Sequence, residues 1–196
     1  MNKVTKRMVQ GRDWIHNFHL SPKGRIWLPW RPKFYKIQLI SMSEQHIHCK
    51  VCQMHDLQSF LITMVYGLNH ESQRQELWHI FREIATNMEE AWCVVGDFKS
   101  ILYIGDRIGG TEVHDHEVKH FFKCIYDYGL QEMRYKGPYF SWTNKIVWSR
   151  IDRAFVNPYW FTQFDYGQVT YLPNGLSDHS VVMVKTTKCH KRKPSF

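Results

Sequence analysis

The chain of 196 residues lacks any apolar run that approaches the length of a membrane span. Asp13, His16 and His19 interrupt the region near the start where an apolar export signal would lie. The five cysteines are odd in number and scattered, which argues against a disulfide framework. These absences predict a soluble intracellular protein with no membrane partner, and the nucleus is one candidate location.

Acidic residues are almost absent from both ends of the chain. Residues 1–36 contain nine Lys or Arg and a single acid, Asp13, and residues 185–196 contain five bases and no acid. The segment between them holds 12 bases and 17 acids, so a mildly acidic centre lies between two basic ends. Basic ends suit attraction to a phosphate backbone, which releases its counterions when Lys and Arg approach. Solvated tails without a partner would give the same pattern.

The hydrophobic content of 43% and the aromatic content of 15% predict one folded domain with a sizeable core. The first 36 residues have little periodicity, which predicts irregular chain with at most one strand, near residues 25–30. Later runs that alternate or are continuously apolar predict strands at 45–52, 60–66, 92–96, 139–142, 151–156, 168–171 and 180–184.

Two segments carry apolar residues at helical spacing. Residues 70–88 form the first, with Asn69 as the expected N-cap, and residues 114–128 form the second, with Gly129 as the expected stop. Strands that alternate with helices and then give way to a strand-rich end predict a layered α/β domain.

Four short motifs place polar residues at predicted strand ends. Their sequences are VYGLN at 65–69, VGDFK at 95–99, SRIDR at 149–153 and LSDHS at 176–180. Each alone has a structural explanation, such as an acid that ends a strand or pairs with a neighbouring Arg. Their joint order favours a ligand site, because open α/β sheets bind ligands at strand ends.

The order Tyr-x-x-Asn, Gly-Asp-Phe, Ile-Asp-Arg, Ser-Asp-His resembles the endonuclease/exonuclease/phosphatase superfamily. The segments GRIW at 24–27, DRIGG at 106–110, FSWTN at 140–144 and WSRIDR at 148–153 look like the endonuclease domain of plant LINE-type non-LTR retrotransposons. The resemblance runs from about residue 21 to residue 184. It implies a DNase I-like four-layer α/β sandwich, and cleavage of a DNA phosphodiester that depends on Mg²⁺ or Mn²⁺.

The resemblance also implies roles for individual side chains. Asp97 would orient the attacking water, and His179 would contact the scissile phosphate with Asp152 as its carboxylate partner. Asp178 would be a metal-binding or active-site acid. Tyr66 would be a further catalytic residue and, with Asn69, would help to shape the phosphate pocket. The remaining expected contacts with substrate are Lys99, Arg107, Trp142 and Asn144. A plain surface turn at Arg107 and core packing of Trp142 are the alternatives.

Two departures from the family pattern predict weakened or lost catalysis. Lys99 stands where the family has an Asn, and an ammonium group only donates hydrogen bonds and can oppose a metal ion. Loss of one positioned donor typically costs about 10²–10³ in rate. Met1–Leu20 match neither of the family's first two strands, one of which carries the principal metal-binding Glu. We therefore predict a basic segment at 1–20, a partial domain at 21–186 with an open sheet edge, and a basic tail at 187–196.

Other interpretations have less support from the residues. His46, His48, Cys49 and Cys52 suggest zinc, but strand alternation places the two cysteines on opposite faces. A non-catalytic nucleic-acid-binding module or an inactive remnant would also keep the scaffold and the basic ends. A phosphatase for small phosphate esters is a further alternative, and the retrotransposon-like motifs argue against it.

Overall fold

The structure, a computed structural model, describes residues 10–20, 25–175 and 177–188. The strands are β1 (Asp13–His16), β2 (Trp27–Trp30), β3 (Tyr35–Met42), β4 (His46–Gln53), β5 (Ser59–Tyr66), β6 (Trp92–Asp97), β7 (Arg107–Ile108), β8 (Gln131–Glu132), β9 (Arg134–Lys136), β10 (Trp142–Thr143), β11 (Trp148–Ser149), β12 (Asp152–Val156), β13 (Phe164–Tyr171) and β14 (Val182–Lys188). The helices are α1 (Glu71–Ala85), α2 (Asp115–Asp127) and the short α3 (Trp160–Gln163).

A six-stranded sheet forms the centre, in the order β3-β4-β5-β6-β12-β8. Strands β5 and β6 are parallel because α1 connects them, and the other neighbours are antiparallel. Strand β5 reads FLITMVY between Ser59 and Gly67 and is rich in β-branched residues, which suit a buried central strand.

Both long helices cover one face of this sheet. Leu77 and Phe81 of α1 and Phe121 of α2 pack with sheet residues such as Val94 and Phe155, all of them buried. The helical spacing predicted from the sequence is therefore the spacing of the core contacts.

The opposite face packs against a second, smaller sheet in the order β14-β13-β9. Val169 and Tyr171 of β13 meet Val51, Ala154 and Val156 of the central sheet. Helices, central sheet and second sheet are three layers of the expected sandwich. Among the described residues, no helix has the length and apolar character needed to cross a membrane.

Strand β14 lies at the edge of its sheet. An apolar cavity of about 440 Å³ lies beside it, lined by Leu28 of β2, by Ile37, Val51 and Ile62 of the central sheet, and by Val184 of β14. Strand β14 therefore has one edge that pairs with none of the described strands.

The expectation of a single strand in the first 36 residues was wrong. Strand β1 pairs antiparallel with β2, and β3 begins at Tyr35. Asn17, which is fully buried, anchors this hairpin, because its amide donates to the carbonyls of Ser43 and Glu44 and accepts from the N–H of Ile26. Such a side-chain anchor leaves no periodic signal in the sequence.

The predicted caps had mixed outcomes. Asn69 is not the N-cap of α1, since the helix begins one residue later and His70 occupies that position without a side-chain cap. The guanidinium of Arg74 instead donates to the carbonyls of Leu68 and Asn69 at 2.8 Å each and so fixes the turn. Gly129 ends α2 as predicted, with φ +61° and its N–H bonded to the carbonyl of Tyr126.

Several predicted strand boundaries also shifted, and the strand expected at 168–171 begins four residues earlier, at Phe164. The strand expected at 139–142 is only Trp142–Thr143, because the hydroxyl and carbonyl of Tyr139 bond to Asp106 and Arg150 instead of a ladder. The strand expected at 180–184 begins at Val182 and extends to Lys188.

Candidate active site

Three acidic or phenolic side chains meet because of strand register. Tyr66 of β5 pairs with Asp97 of β6, and Asp97 pairs with Asp152 of β12. The two carboxylates are each 6% exposed, so they lie side by side at one end of the central sheet and largely out of water. Like charges this close have to be balanced by nearby cations or protons.

His179 completes the group from the loop before β14. Its Nδ1 lies 2.9 Å from Oδ2 of Asp152, and its Nε2 lies 3.7 Å from Oδ2 of Asp97. Because a carboxylate only accepts, Nδ1 is the donor to Asp152, and Nε2 has no hydrogen-bond partner among the described residues. Burial lowers the pKa of His179, but the hydrogen bond and charge of Asp152 outweigh it, and the net pKa shift is upward.

Asp97 has an unusual environment. Its Oδ1 accepts the N–H of Lys99 at 2.9 Å, and its Oδ2 lies 2.8 Å from the ammonium nitrogen of Lys99. That second contact is an ion pair with poor hydrogen-bond direction, so the buried Oδ2 has no directed hydrogen-bond donor. Burial, followed by the charge of Asp152, raises the pKa of Asp97, and Lys99 opposes the shift.

The glycines of two motifs permit the close approach of these strands. A Cβ on Gly96, which has φ +144°, would lie 2.1 Å from the carbonyl oxygen of Val65. A Cβ on Gly67 would lie 2.5 Å from the carbonyl oxygen of Phe98. A side chain at either position would push β5 and β6 apart and separate Tyr66 from Asp97.

Four of the predicted substrate contacts line a groove beside this centre, and Lys99 links the two through its contact with Asp97. Asn69, Lys99 and Arg107 line two adjoining cavities of about 360 and 270 Å³. Gly109, Gly110 and Trp142 add to the first cavity, and Arg74 adds to the second. Arg107 is partly neutralised there, because its Nη1 donates to Glu117 at 3.1 Å.

The structure places the other predicted residues at the rim. Asp178 is exposed, and its Oδ2 accepts the indole N–H of Trp142 at 2.9 Å, a bond that lowers the pKa of Asp178. Trp142 forms a β-bridge with His179, so the Trp142–Asp178 bond helps to hold the histidine loop. The side-chain Oδ1 of Asn144 accepts hydrogen bonds from the backbone N–H groups of Ile146 and Val147, which stabilises a turn.

The sequence interpretation missed the acids behind the site. Glu132 accepts from both Arg150 and Arg153 at 2.7 Å, and Asp106 pairs with Arg153. Both arginines are at most 2% exposed. Both arginines therefore pair with other acids and not with Asp152. This excludes the purely structural explanation of the SRIDR motif, in which Asp152 pairs with a neighbouring Arg. Asp106 stands in the DRIGG segment, to which the sequence interpretation gave no role for the acid, and nothing local marks Glu132.

Asp97, Asp152 and His179 are the only three described His, Cys, Asp or Glu residues whose ligand atoms all lie within 4.8 Å of one another. Their chemistry suits a Mg²⁺ ion poorly, since Mg²⁺ requires oxygen ligands at about 2.0–2.1 Å and Asp152 is already engaged with His179. The ammonium of Lys99 is 2.8 Å from the remaining carboxylate oxygen. A divalent ion at these carboxylates would be repelled by this ammonium. In this arrangement the residues present do not fit a divalent metal, and the carboxylate of Asp178 is not part of the group.

Solved structures share this architecture at low sequence identity. The endonuclease domain of TRAS1, a telomere-specific non-LTR retrotransposon, superposes with a TM-score of 0.69 at 11% identity, over 91% of this chain and 79% of that one. An endonuclease/exonuclease/phosphatase family protein from Bacteroides thetaiotaomicron gives a TM-score of 0.62 at 16% identity, over 93% and 77%. The chain has the DNase I-like fold.

Two further DNase I-like structures were solved with ligands. Zebrafish (D. rerio) TDP2 in complex with a single-stranded DNA product gives a TM-score of 0.54 at 11% identity, over 92% of this chain and 78% of that one. Beta toxin from Staphylococcus aureus with bound magnesium ions gives 0.52 at 12% identity, over 79% and 66%. No family model and no curated protein sequence matches the chain.

Proposed function

We propose that this protein is a retrotransposon-derived, endonuclease-like domain of the plant LINE type whose site binds DNA phosphate but cleaves it weakly or not at all. The single observation that supports it best is the convergence of His179, Asp152 and Asp97 beside Lys99, the side chain that lines the adjoining cavities. Asp152 holds Nδ1 of His179 at 2.9 Å, which leaves Nε2 as the ring nitrogen that can donate to a phosphate oxygen.

The chemistry assigned to each group follows from this geometry. Protonated His179 donates a hydrogen bond to a phosphate oxygen, and Asp152 keeps its ring in one tautomer and orientation. Asp97 accepts a proton from an attacking water, provided that its carboxylate is free to do so. Lys99 opposes this last role, because its ammonium forms an ion pair with the same carboxylate.

The ion pair between Lys99 and Asp97 also bears on metal binding. Magnesium or manganese would use the carboxylates of Asp97 and Asp152, and Lys99 disfavours either ion in the arrangement observed. Residues 21–186 as the domain and a nuclear location remain predictions from the sequence.

A nicking assay on supercoiled plasmid with Mg²⁺ or Mn²⁺ tests the proposal. We expect little nicking by the natural chain and a gain of at least tenfold in Lys99→Asn, because the carboxylate of Asp97 is then released. Adding His179→Ala to Lys99→Asn should remove the gain. If the natural chain nicks as well as Lys99→Asn, the proposed impairment is wrong.

A second candidate is a non-catalytic nucleic-acid-binding module. The observation in its favour is the Lys99–Asp97 ion pair itself, which uses up the expected base. Salt-sensitive DNA binding by both the natural chain and Lys99→Asn, with no nicks from either, would support this candidate over the first.

A further inference from the structure

The turn after β6 directs Lys99 back into the site. Lys99 has φ +49°, a left-handed conformation that is uncommon for a residue with a side chain. Its N–H donates to Oδ1 of Asp97, and its ammonium reaches Oδ2 of the same carboxylate at 2.8 Å. The backbone is therefore curled so that one residue contacts both oxygens of Asp97.

The ammonium is also held from the opposite side. It lies 5.4 Å from the centre of the Tyr66 ring, within the range of a cation–π contact. The side chain is 19% exposed and lines both cavities of the groove. Lys99 is thus a fixed cation between the buried carboxylates and the space open to a ligand, unlike a lysine that extends into solvent.

The chain itself brings positive charge to the buried carboxylates. The ammonium of Lys99 contacts Asp97, and the ring of His179 bonds to Asp152. A phosphate anion that enters the cavities lined by Lys99 therefore meets a cationic donor without an added divalent ion.

We propose that Lys99 is the resident cation of this site and makes the binding of phosphodiesters independent of divalent metal. The inference rests on the proposed function, since it requires that DNA phosphate binds at this centre. It explains the poor fit of a metal as a consequence of the substituted residue: the positive charge is already supplied by the chain.

Fluorescence anisotropy of a labelled oligonucleotide tests the inference on the full chain. The natural protein should bind equally, within about twofold, in EDTA and in Mg²⁺. Lys99→Met should bind about tenfold more weakly in EDTA and recover most of that loss in Mg²⁺. The slope of log affinity against log salt should fall by about one in Lys99→Met, the change expected for one lost phosphate contact.

Two controls separate charge from misfolding. Lys99→Arg keeps a cation at the site and should keep binding in EDTA. Lys123→Met removes an exposed lysine that pairs with Asp127 on α2, and it should leave affinity unchanged in both buffers. Circular dichroism of each variant checks that the fold is retained.

The outcomes divide cleanly. Loss of binding by the natural protein in EDTA, or equal binding by Lys99→Met and the natural protein in EDTA, overturns the inference and leaves the proposed function standing. Absence of DNA binding by every variant in both buffers rejects the proposed function and the inference together.

Discussion

Two charged clusters flank strand β12 and differ in how their charges are satisfied. The rear cluster consists of Asp106, Glu132, Arg150 and Arg153, and the front cluster consists of Asp97, Asp152, His179 and Lys99. In the rear cluster, Asp106 is fully buried and accepts from Arg153, from the hydroxyl of Tyr139 and from two backbone N–H groups. In the front cluster, Oδ2 of Asp97 is buried and has no directed donor.

The aromatic surroundings sharpen the difference. The guanidinium of Arg150 lies 3.9 Å from the centre of the Tyr135 ring and within 5.2 Å of the rings of Tyr139 and Tyr171. The side chain of His179 is 23% exposed and that of Lys99 19%. Charged residues therefore make a scaffold where they are enclosed, even though Nε of Arg153 has no hydrogen-bond partner there, and a candidate binding site where the cationic side chains stay partly exposed.

The largest expected effect is on stability and belongs to the rear cluster. Asp106→Asn keeps the size of the side chain but removes the charge that Arg153 requires, and breaking a buried ion pair costs about 3–5 kcal/mol. Urea denaturation should show that loss in the free energy of unfolding. The matched change at an exposed carboxylate, Asp178→Asn, should cost less than about 0.5 kcal/mol. Similar losses in the two variants would remove the distinction between the clusters.

The next effect concerns pH and contrasts buried histidines with the histidine of the site. Burial lowers the pKa of His46 and of His48 to about 4. The unfolded chain takes up these protons near pH 6.5, so the free energy of unfolding should fall as pH drops from 6.5 to about 4, by up to about 1.4 kcal/mol per pH unit for each histidine. The raised pKa of His179 acts in the opposite direction, giving stability at low pH that is lost as pH rises through that pKa.

Urea denaturation across this pH range checks the sign. The double variant His46→Asn, His48→Asn should have a flatter dependence, while His79→Asn, at an exposed position on α1, should match the natural chain. An unchanged slope in the double variant would contradict the assignment.

The smallest effect is local to the front cluster. Asp152→Asn removes the charge that favours imidazolium, so the pKa of His179 should fall without a large change in global stability. Proton NMR titration of the His179 ring signals in the natural chain and in the variant measures this. A pKa of His179 that stays raised in the variant would mean that Asp152 is not its main partner.

Much of the fold could be predicted because it depends on local patterns. The apolar residues of α1 and α2 recur at helical spacing, and those of β5 form a continuous run of strand length. Residues of all three elements pack in the same core cluster. The extent of β3, the β1–β2 hairpin and the start of α1 could not be predicted in the same way. They depend on Asn17 and Arg74, whose hydrogen bonds reach backbone groups that no short-range pattern identifies.

Some residues of the candidate site and its surroundings could be predicted from the sequence, and others could not. Tyr66, Asp97, Asp152 and His179 were found from their order and from the resemblance that this order carries. The rear acids were missed, because a buried salt bridge between residues 21 or 47 positions apart has no periodic trace. Asn144 and Asp178 were expected at the substrate or metal, and the structure adds a turn bond and an indole partner that sequence alone does not reveal.

The sequence by itself determined the layered α/β class, the placement of acids at strand ends and the cation in the Gly-Asp-Phe-Lys motif. These follow from side-chain period and residue type, which are properties of neighbouring positions. Only the tertiary structure decided that Lys99 turns back onto Asp97, that His179 bonds to Asp152, and that Arg150 and Arg153 belong to a different cluster. These pairings depend on which strands lie next to each other and on how completely water is excluded between them. A charged group that is buried away from water requires a partner, and the neighbouring strands determine which partner is within reach.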